Sequence, residues 1–158
     1  MKNINWKSLL ISIAISLGAG VLSAVLSGNS MEQYEQLYKP PLSPPGWLFP
    51  IVWTILFILM GIAAYLVYES ETEGERKRAA LTVYAGQLLV NVGWSIIFFG
   101  GEAYLVAFAW LVLLWFLIYR TIRHFWEIDR TAGILLLPYI LWVTFAGYLN
   151  LAIALYYI

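Results

Sequence analysis

Five stretches of this 158-residue chain run for 17 to 25 residues without a charged side chain: Ser8–Ser27, Leu48–Tyr68, Ala79–Phe99, Ala103–Tyr119 and Gly133–Tyr157. A helix rises about 1.5 Å per residue, so roughly 20 residues cross the hydrocarbon of a bilayer. The fourth run is the shortest, and Ile122 with the aliphatic stem of Arg120 extends it by snorkelling. In lipid only helices and closed barrels satisfy every backbone group. Barrel strands alternate polar and apolar residues over about ten positions, a pattern absent from these runs. The sequence therefore reads as an all-α integral membrane protein, a five-transmembrane-helix bundle forming one domain over 1–158. Its spans are expected near 8–27, 48–68, 79–99, 103–122 and 133–157, with an extracytoplasmic lid loop at 28–47. Hydrophobic residues make up 62% and charged residues 11% of the chain, against roughly 45–50% and 25% in soluble domains. A soluble fold of this size could not hide so much apolar surface. The first run is too long for the apolar region of a secretion signal, and it is read as a retained helix.

The charges orient the bundle. If the N-terminus lies on one side, that side also holds the connections ESETEGERKR and RTIRHFWEIDR, and it collects Lys2, Lys7, Arg76, Lys77, Arg78, Arg120, Arg123 and Arg130. The other side keeps Lys39 alone. Eight against one predicts a cytoplasmic N-terminus and an external C-terminus. Trp6, Trp47 and Trp126 fall at span ends, where amphipathic rings anchor at the interface.

Several function classes drop out. Nine basic residues balance nine acidic ones, which argues against a nucleic-acid partner. No cysteine is present, so there is no thiolate chemistry. The single histidine, His124, sits at the end of the fourth span and reads as a surface residue. No catalytic triad, carboxylate pair or phosphate loop is visible. The spans hold no ionisable Asp, Glu, Lys, Arg or His, which removes the usual apparatus of ion-coupled transport. Ser12, Ser16, Gly20 and Ala24 form a small-residue stripe that permits close helix packing.

What the spans carry instead is amide and aromatic. Gln87, Asn91, Trp94 and Phe98 share one helical face in the third span; Trp53, Phe57 and Ala64 share one in the second. Trp142, Ala146 and Leu149 do so in the fifth, flanked by Asn150. Taken singly, each amide is also what a bundle uses to bond its helices together. Together, inward tryptophans alternating with small residues leave flat slots, the kind of apolar cavity that takes a flat, hydrophobic ligand. Pro138 is expected to kink the fifth span near Trp142. Five of the six prolines fall in KPPLSPPGWLFPIVW, Lys39 to Trp53, which is expected to be an extended, semi-rigid strap roofing that cavity.

These motifs resemble the translocator protein family, also called TspO/MBR or the tryptophan-rich sensory proteins. The resemblance rests on Tyr34 followed by KPPLSPPGW, on LFPIVW, on FILMGIA, on Q-x-x-x-N-x-x-W-x-x-x-FF and on PYILW-x-x-FA-x-x-LN, in that order from Tyr34 to Asn150. It implies a bacterial-type, homodimeric five-helix protein of the cell membrane that binds porphyrins such as protoporphyrin or haem, sterol-like molecules and benzodiazepine-type compounds. Carried over by position, it implies a ligand pocket of Tyr34, Pro44, Trp53, Phe57, Asn91, Trp94, Trp142, Ala146 and Leu149. The stripes read from spacing coincide with it at Trp53, Phe57, Asn91, Trp94 and Trp142. In such relatives Trp53 and Trp142 would be the catalytic residues of light-dependent porphyrin breakdown, if that chemistry operates. Downhill transport of tetrapyrroles is a third reading. Three departures stand out: Gln33 and Leu42 occupy positions where many members carry tryptophan, and the chain ends after Tyr156 and Tyr157 without the basic residue of the proposed sterol motif.

Overall fold

The computed structural model describes residues 3–158, so Lys2 lies outside it. All the regular structure among the described residues is helical. The first helix, α1 (Trp6–Leu26), starts where the Asn5 side chain accepts from the Ser8 amide. It ends at Ser27, followed by Gly28 at φ +73°, a left-handed stop that glycine reaches without strain. Five helical stretches are long and apolar enough to cross a membrane, and the protein is a multi-pass integral membrane protein. Large apolar side chains such as Leu10, Val25, Leu89, Phe116 and Leu141 point outward all round the bundle, as lipid contact requires.

The strap departs from its expected form at both ends. A short helix, α2 (Ser30–Gln36), precedes it, and its far end is the first turn of α3 (Leu48–Tyr68), which includes Pro50. The first-turn amides of a helix have no intrahelical partner, so a proline there loses nothing. Between them, Pro40–Ser43 makes a turn closed by Ser43 N donating to Pro40 O at 3.2 Å. Pro41 takes the second position and Leu42 the third, at φ +72°. That third position favours glycine, and a branched side chain held left-handed costs about 1–2 kcal/mol. Leu42 is 82% exposed, so its side chain gains little in return. Replacing Leu42→Gly should therefore raise the thermal midpoint in detergent by about 2–4 °C; an unchanged or lower midpoint would contradict the strained turn.

The helices that follow extend beyond the charge-free runs. α4 (Gly74–Ser95) takes Glu75, Arg76, Lys77 and Arg78 into its first turns, so only 69–73 of the connection ESETEGERKR stays non-helical. It continues as a wide-turn π segment, Ile96–Gly100, closed by Gly101 N donating to Ile96 O at 2.9 Å. α5 (Tyr104–Ile128) corrects a second expectation: RTIRHFWEIDR is mostly helix, not a connection. Arg120, Arg123 and Glu127 recur at helical spacing on the exposed side, while Thr121, Ile122 and Phe125 are buried. The fifth span is two helices, α6 (Arg130–Leu135), capped by the Asp129 carboxylate on the Thr131 and Ala132 amides, and α7 (Leu137–Tyr156). The break is at Leu136, before Pro138, and Trp142 lies in an unbroken α7 rather than at a kink.

Small residues set the closest approach. Ser12 Oγ donates to Gly61 O at 2.7 Å and Ser16 Oγ to Phe57 O at 2.6 Å, so the small-residue stripe of α1 lies on α3. Met60, Ala63, Val67, Tyr84, Ile118, Phe125 and Tyr139 fill the half of the bundle nearest the 69–73 connection. The half beneath the strap is not filled.

Candidate functional site

Five helices, the π segment and the strap surround a cavity of about 350 Å³ there, within the roughly 300–1,000 Å³ of small-molecule sites, with Val21, Ala24, Pro50 and Thr54 exposed at its rim. α1 supplies Leu17, Gly20, Val21 and Ala24; α3 supplies Phe49, Trp53 and Phe57. Asn91, Trp94 and Phe98 come from α4 and the π segment, and Trp142, Ala146, Leu149 and Asn150 from α7. Met31, Tyr34 and Gly46 form the roof. No side chain in the lining is charged. Gly20 matters for its shape: a Cβ there would lie 2.7 Å from the Phe57 ring.

The roof is tied down. The Tyr34 hydroxyl donates to Pro44 O at 2.5 Å. Burial pushes the Tyr34 phenol above its ordinary pKa, which keeps it a donor. The Lys39 ammonium donates to the carbonyls of Tyr34 and Leu37 and lies over the Tyr34 ring. Tyr148 Oη donates to Pro41 O at 2.7 Å, Tyr157 Oη accepts from Tyr38 N at 2.9 Å, and Tyr38 stacks on Tyr156 at 4.1 Å. The strap is thus pinned to the far end of α7.

Beneath it the polar atoms divide sharply. Tyr139 Oη donates to Gln87 Oε1 at 2.7 Å and accepts from Asn91 Nδ2 at 2.6 Å. Trp94 Nε1 donates to Asn150 Oδ1 at 2.9 Å, and Asn150 Nδ2 donates to Tyr104 O at 2.8 Å. These amides do bond helices together, as the spacing alone allowed. Trp142 Nε1 differs: it is buried and has no hydrogen-bond partner. Removing the bridge by Tyr139→Phe strands two buried amides, each such bond being worth about 0.6 kcal/mol in a membrane. A loss of about 1 kcal/mol in denaturant titrations of the micellar protein is expected, and no loss would show the bridge to be idle.

Of the nine residues expected in the pocket, Tyr34, Trp53, Phe57, Asn91, Trp94, Trp142, Ala146 and Leu149 line the cavity. Pro44 does not: the strap passes outside Tyr34, and Pro44 meets it through its carbonyl, while Gly46 supplies the wall. Leu42 is on the outer tip, so no aromatic wall is missing at that position. Ala64 and Gln87 belong to the packed half. Phe49 was missed although 49, 53 and 57 keep a helical spacing, because the proline run masked the start of α3. The small-residue spacing of α1 implies packing, and Gly20 and Ala24 also form the cavity wall. Among the described residues no group of His, Cys, Asp or Glu could hold a metal.

Fold and site define a five-span membrane protein with a partly open, ligand-sized apolar cavity under an extramembrane strap. Comparison with known proteins gives a match to the TspO/MBR family over residues 12–156. The chain belongs to that family. It is 38% identical to the tryptophan-rich protein TspO of Chlorobaculum tepidum over 92% of this chain and 93% of that one. It is 39% identical to protein CrtK of Rhodobacter capsulatus over 85% and 83% of the two chains. Identity to the translocator protein of Homo sapiens is 35%, over 88% and 83%.

Proposed function

We propose that this protein is a membrane receptor or sensor that holds a flat, largely hydrophobic molecule of the porphyrin class between its helices. The observation that carries this reading is an uncharged cavity of about 350 Å³ walled by Trp53, Trp94, Phe98 and Trp142. Flat walls of Trp53, Trp94, Phe98 and Trp142 suit a planar ring system. The same walls suit sterol-like or benzodiazepine-type molecules less specifically. The lining holds no histidine, lysine or cysteine; of the side chains there that can ligate iron, the Tyr34 phenol is committed to Pro44 O and the Met31 thioether is left, so the site asks for the flat ring and not for its metal. The proposal keeps the N-terminus cytoplasmic, the strap outside the cell membrane and the protein a homodimer. Titrating purified protein with protoporphyrin IX should quench tryptophan emission saturably, and linear, unsaturable quenching would refute the pocket.

Photochemical breakdown is the second reading, favoured by Trp53 and Trp142 both lining the cavity. Illumination in air should then give a spectrally distinct product that disappears when both become phenylalanine. Persistence of the product would make the protein a passive holder of a self-bleaching pigment.

A further inference from the structure

The wall that contains Trp142 has a second face. On the outside of the bundle an apolar groove runs between α3 and α7, lined by Val52 and Ile55 on one side and by Pro138, Leu141 and Phe145 on the other, with Trp142 at its base. Trp142 therefore lines both the cavity and the groove. It lies near the middle of the Arg130–Tyr156 span, so the groove opens at the depth of the acyl chains. Ile55 and Leu141 are exposed there. We infer that this seam is a lateral entry site: a bilayer hydrocarbon chain rests in the groove, and the cavity exchanges its apolar ligand directly with the bilayer past the Trp142 ring. The inference rests on the cavity being a ligand site, as proposed above.

Three features favour this seam over the roof. α3 packs chiefly on α1 and α6, and α7 chiefly on α5, so the two helices flanking the groove each have their main partner elsewhere. The indoles of Trp94, Trp110 and Trp115 are each held by a hydrogen bond, whereas that of Trp142 is held by none. A rotamer change at Trp142 breaks no polar contact. Opening the roof, by contrast, breaks the Tyr148–Pro41 and Tyr157–Tyr38 bonds and the Tyr38–Tyr156 stack together. The break at Leu136 gives α7 a pivot at the end of the groove. A chain of ring contacts, Tyr34–Phe49 at 4.8 Å, Phe49–Trp142 at 5.8 Å and Trp142–Phe145 at 5.6 Å, joins the roof to the seam. An apolar ligand is already concentrated in the bilayer, so a lateral route also spares it passage through water.

The absence of cysteine makes the test clean. The double variant Ile55→Cys with Leu141→Cys is joined by a short bis-maleimide, or capped with N-ethylmaleimide as a control. A second double variant, Tyr38→Cys with Tyr156→Cys, locks the roof in the same way. Loading of protoporphyrin IX from preloaded liposomes is followed by stopped-flow fluorescence. The seam link should slow loading at least tenfold with equilibrium binding within twofold of the capped control, while the roof link leaves the rate unchanged. Saturable loading that ignores the seam link, or is slowed as much by the roof link, overturns the lateral route alone. No saturable loading in the unlinked protein overturns the ligand reading of the cavity, and the route with it.

Discussion

Trp142→Ala should weaken protoporphyrin binding roughly 30-fold, about 2 kcal/mol, the size of loss expected when a central aromatic anchor is removed from a desolvated site. Two contributions are separable in that figure: the flat wall the ring gives the cavity, and any hydrogen bond its unpartnered Nε1 makes once the ring turns toward a ligand. Trp142→Phe separates them. It keeps a flat ring and removes the N–H, so it should lose about 1 kcal/mol, roughly fivefold, if the ligand accepts from the indole. If Trp142 is wall alone, phenylalanine should bind nearly as well as tryptophan. Trp94→Phe makes the contrast. Its N–H is already committed to Asn150 Oδ1, so the change strands a protein group and shows in stability before it shows in affinity. The measurement is porphyrin fluorescence, which does not depend on how many indoles remain. Binding of the alanine variant within twofold of wild type would remove Trp142 from the site.

The spans were legible because absence of charge is a property of the chain itself: lipid admits almost none, and five gaps of adequate length follow. Helix ends were not, because charge-freedom marks where hydrocarbon stops and not where the helix does. α5 carries Arg120, Arg123 and Glu127 on its last turns without unwinding, and α4 starts among Glu75 to Arg78. The stripes of Trp53 and Phe57, of Asn91 and Trp94, and of Trp142 and Ala146 were visible because each lies within one helix. Tyr139 was passed over because its role exists only across helices: its hydroxyl joins Gln87 to Asn91. Pro44 was expected in the wall because its position in the motif says nothing of which side of Tyr34 the strap takes. Backbone direction and long-range partnership are what a linear pattern leaves out.

The small-residue stripe gives the sharpest test of the fold, because two glycines that look alike in sequence should respond with opposite signs. Gly61 faces α1: a Cβ there would lie 2.6 Å from the Ile13 Cα and 2.8 Å from Ser16 Oγ. A backbone atom cannot rotate away, so α1 must move outward. Doing so stretches the Ser12–Gly61 and Ser16–Phe57 hydrogen bonds and shifts the cavity wall formed by Gly20 and Ala24. Overpacking of this kind costs about 1–3 kcal/mol, against up to about 1 kcal/mol that alanine gains over glycine in a helix. Gly61→Ala should therefore lose about 1–2 kcal/mol in denaturant titration of the micellar protein and bind porphyrin more weakly. At Gly18 nothing lies within 4 Å of an added Cβ, so Gly18→Ala should be neutral or mildly stabilising. Helix propensity alone would give both variants the same sign. Equal responses at the two positions would mean that α1 does not lie on α3 at the distance Gly61 permits, and the cavity built on that contact would have to be redrawn.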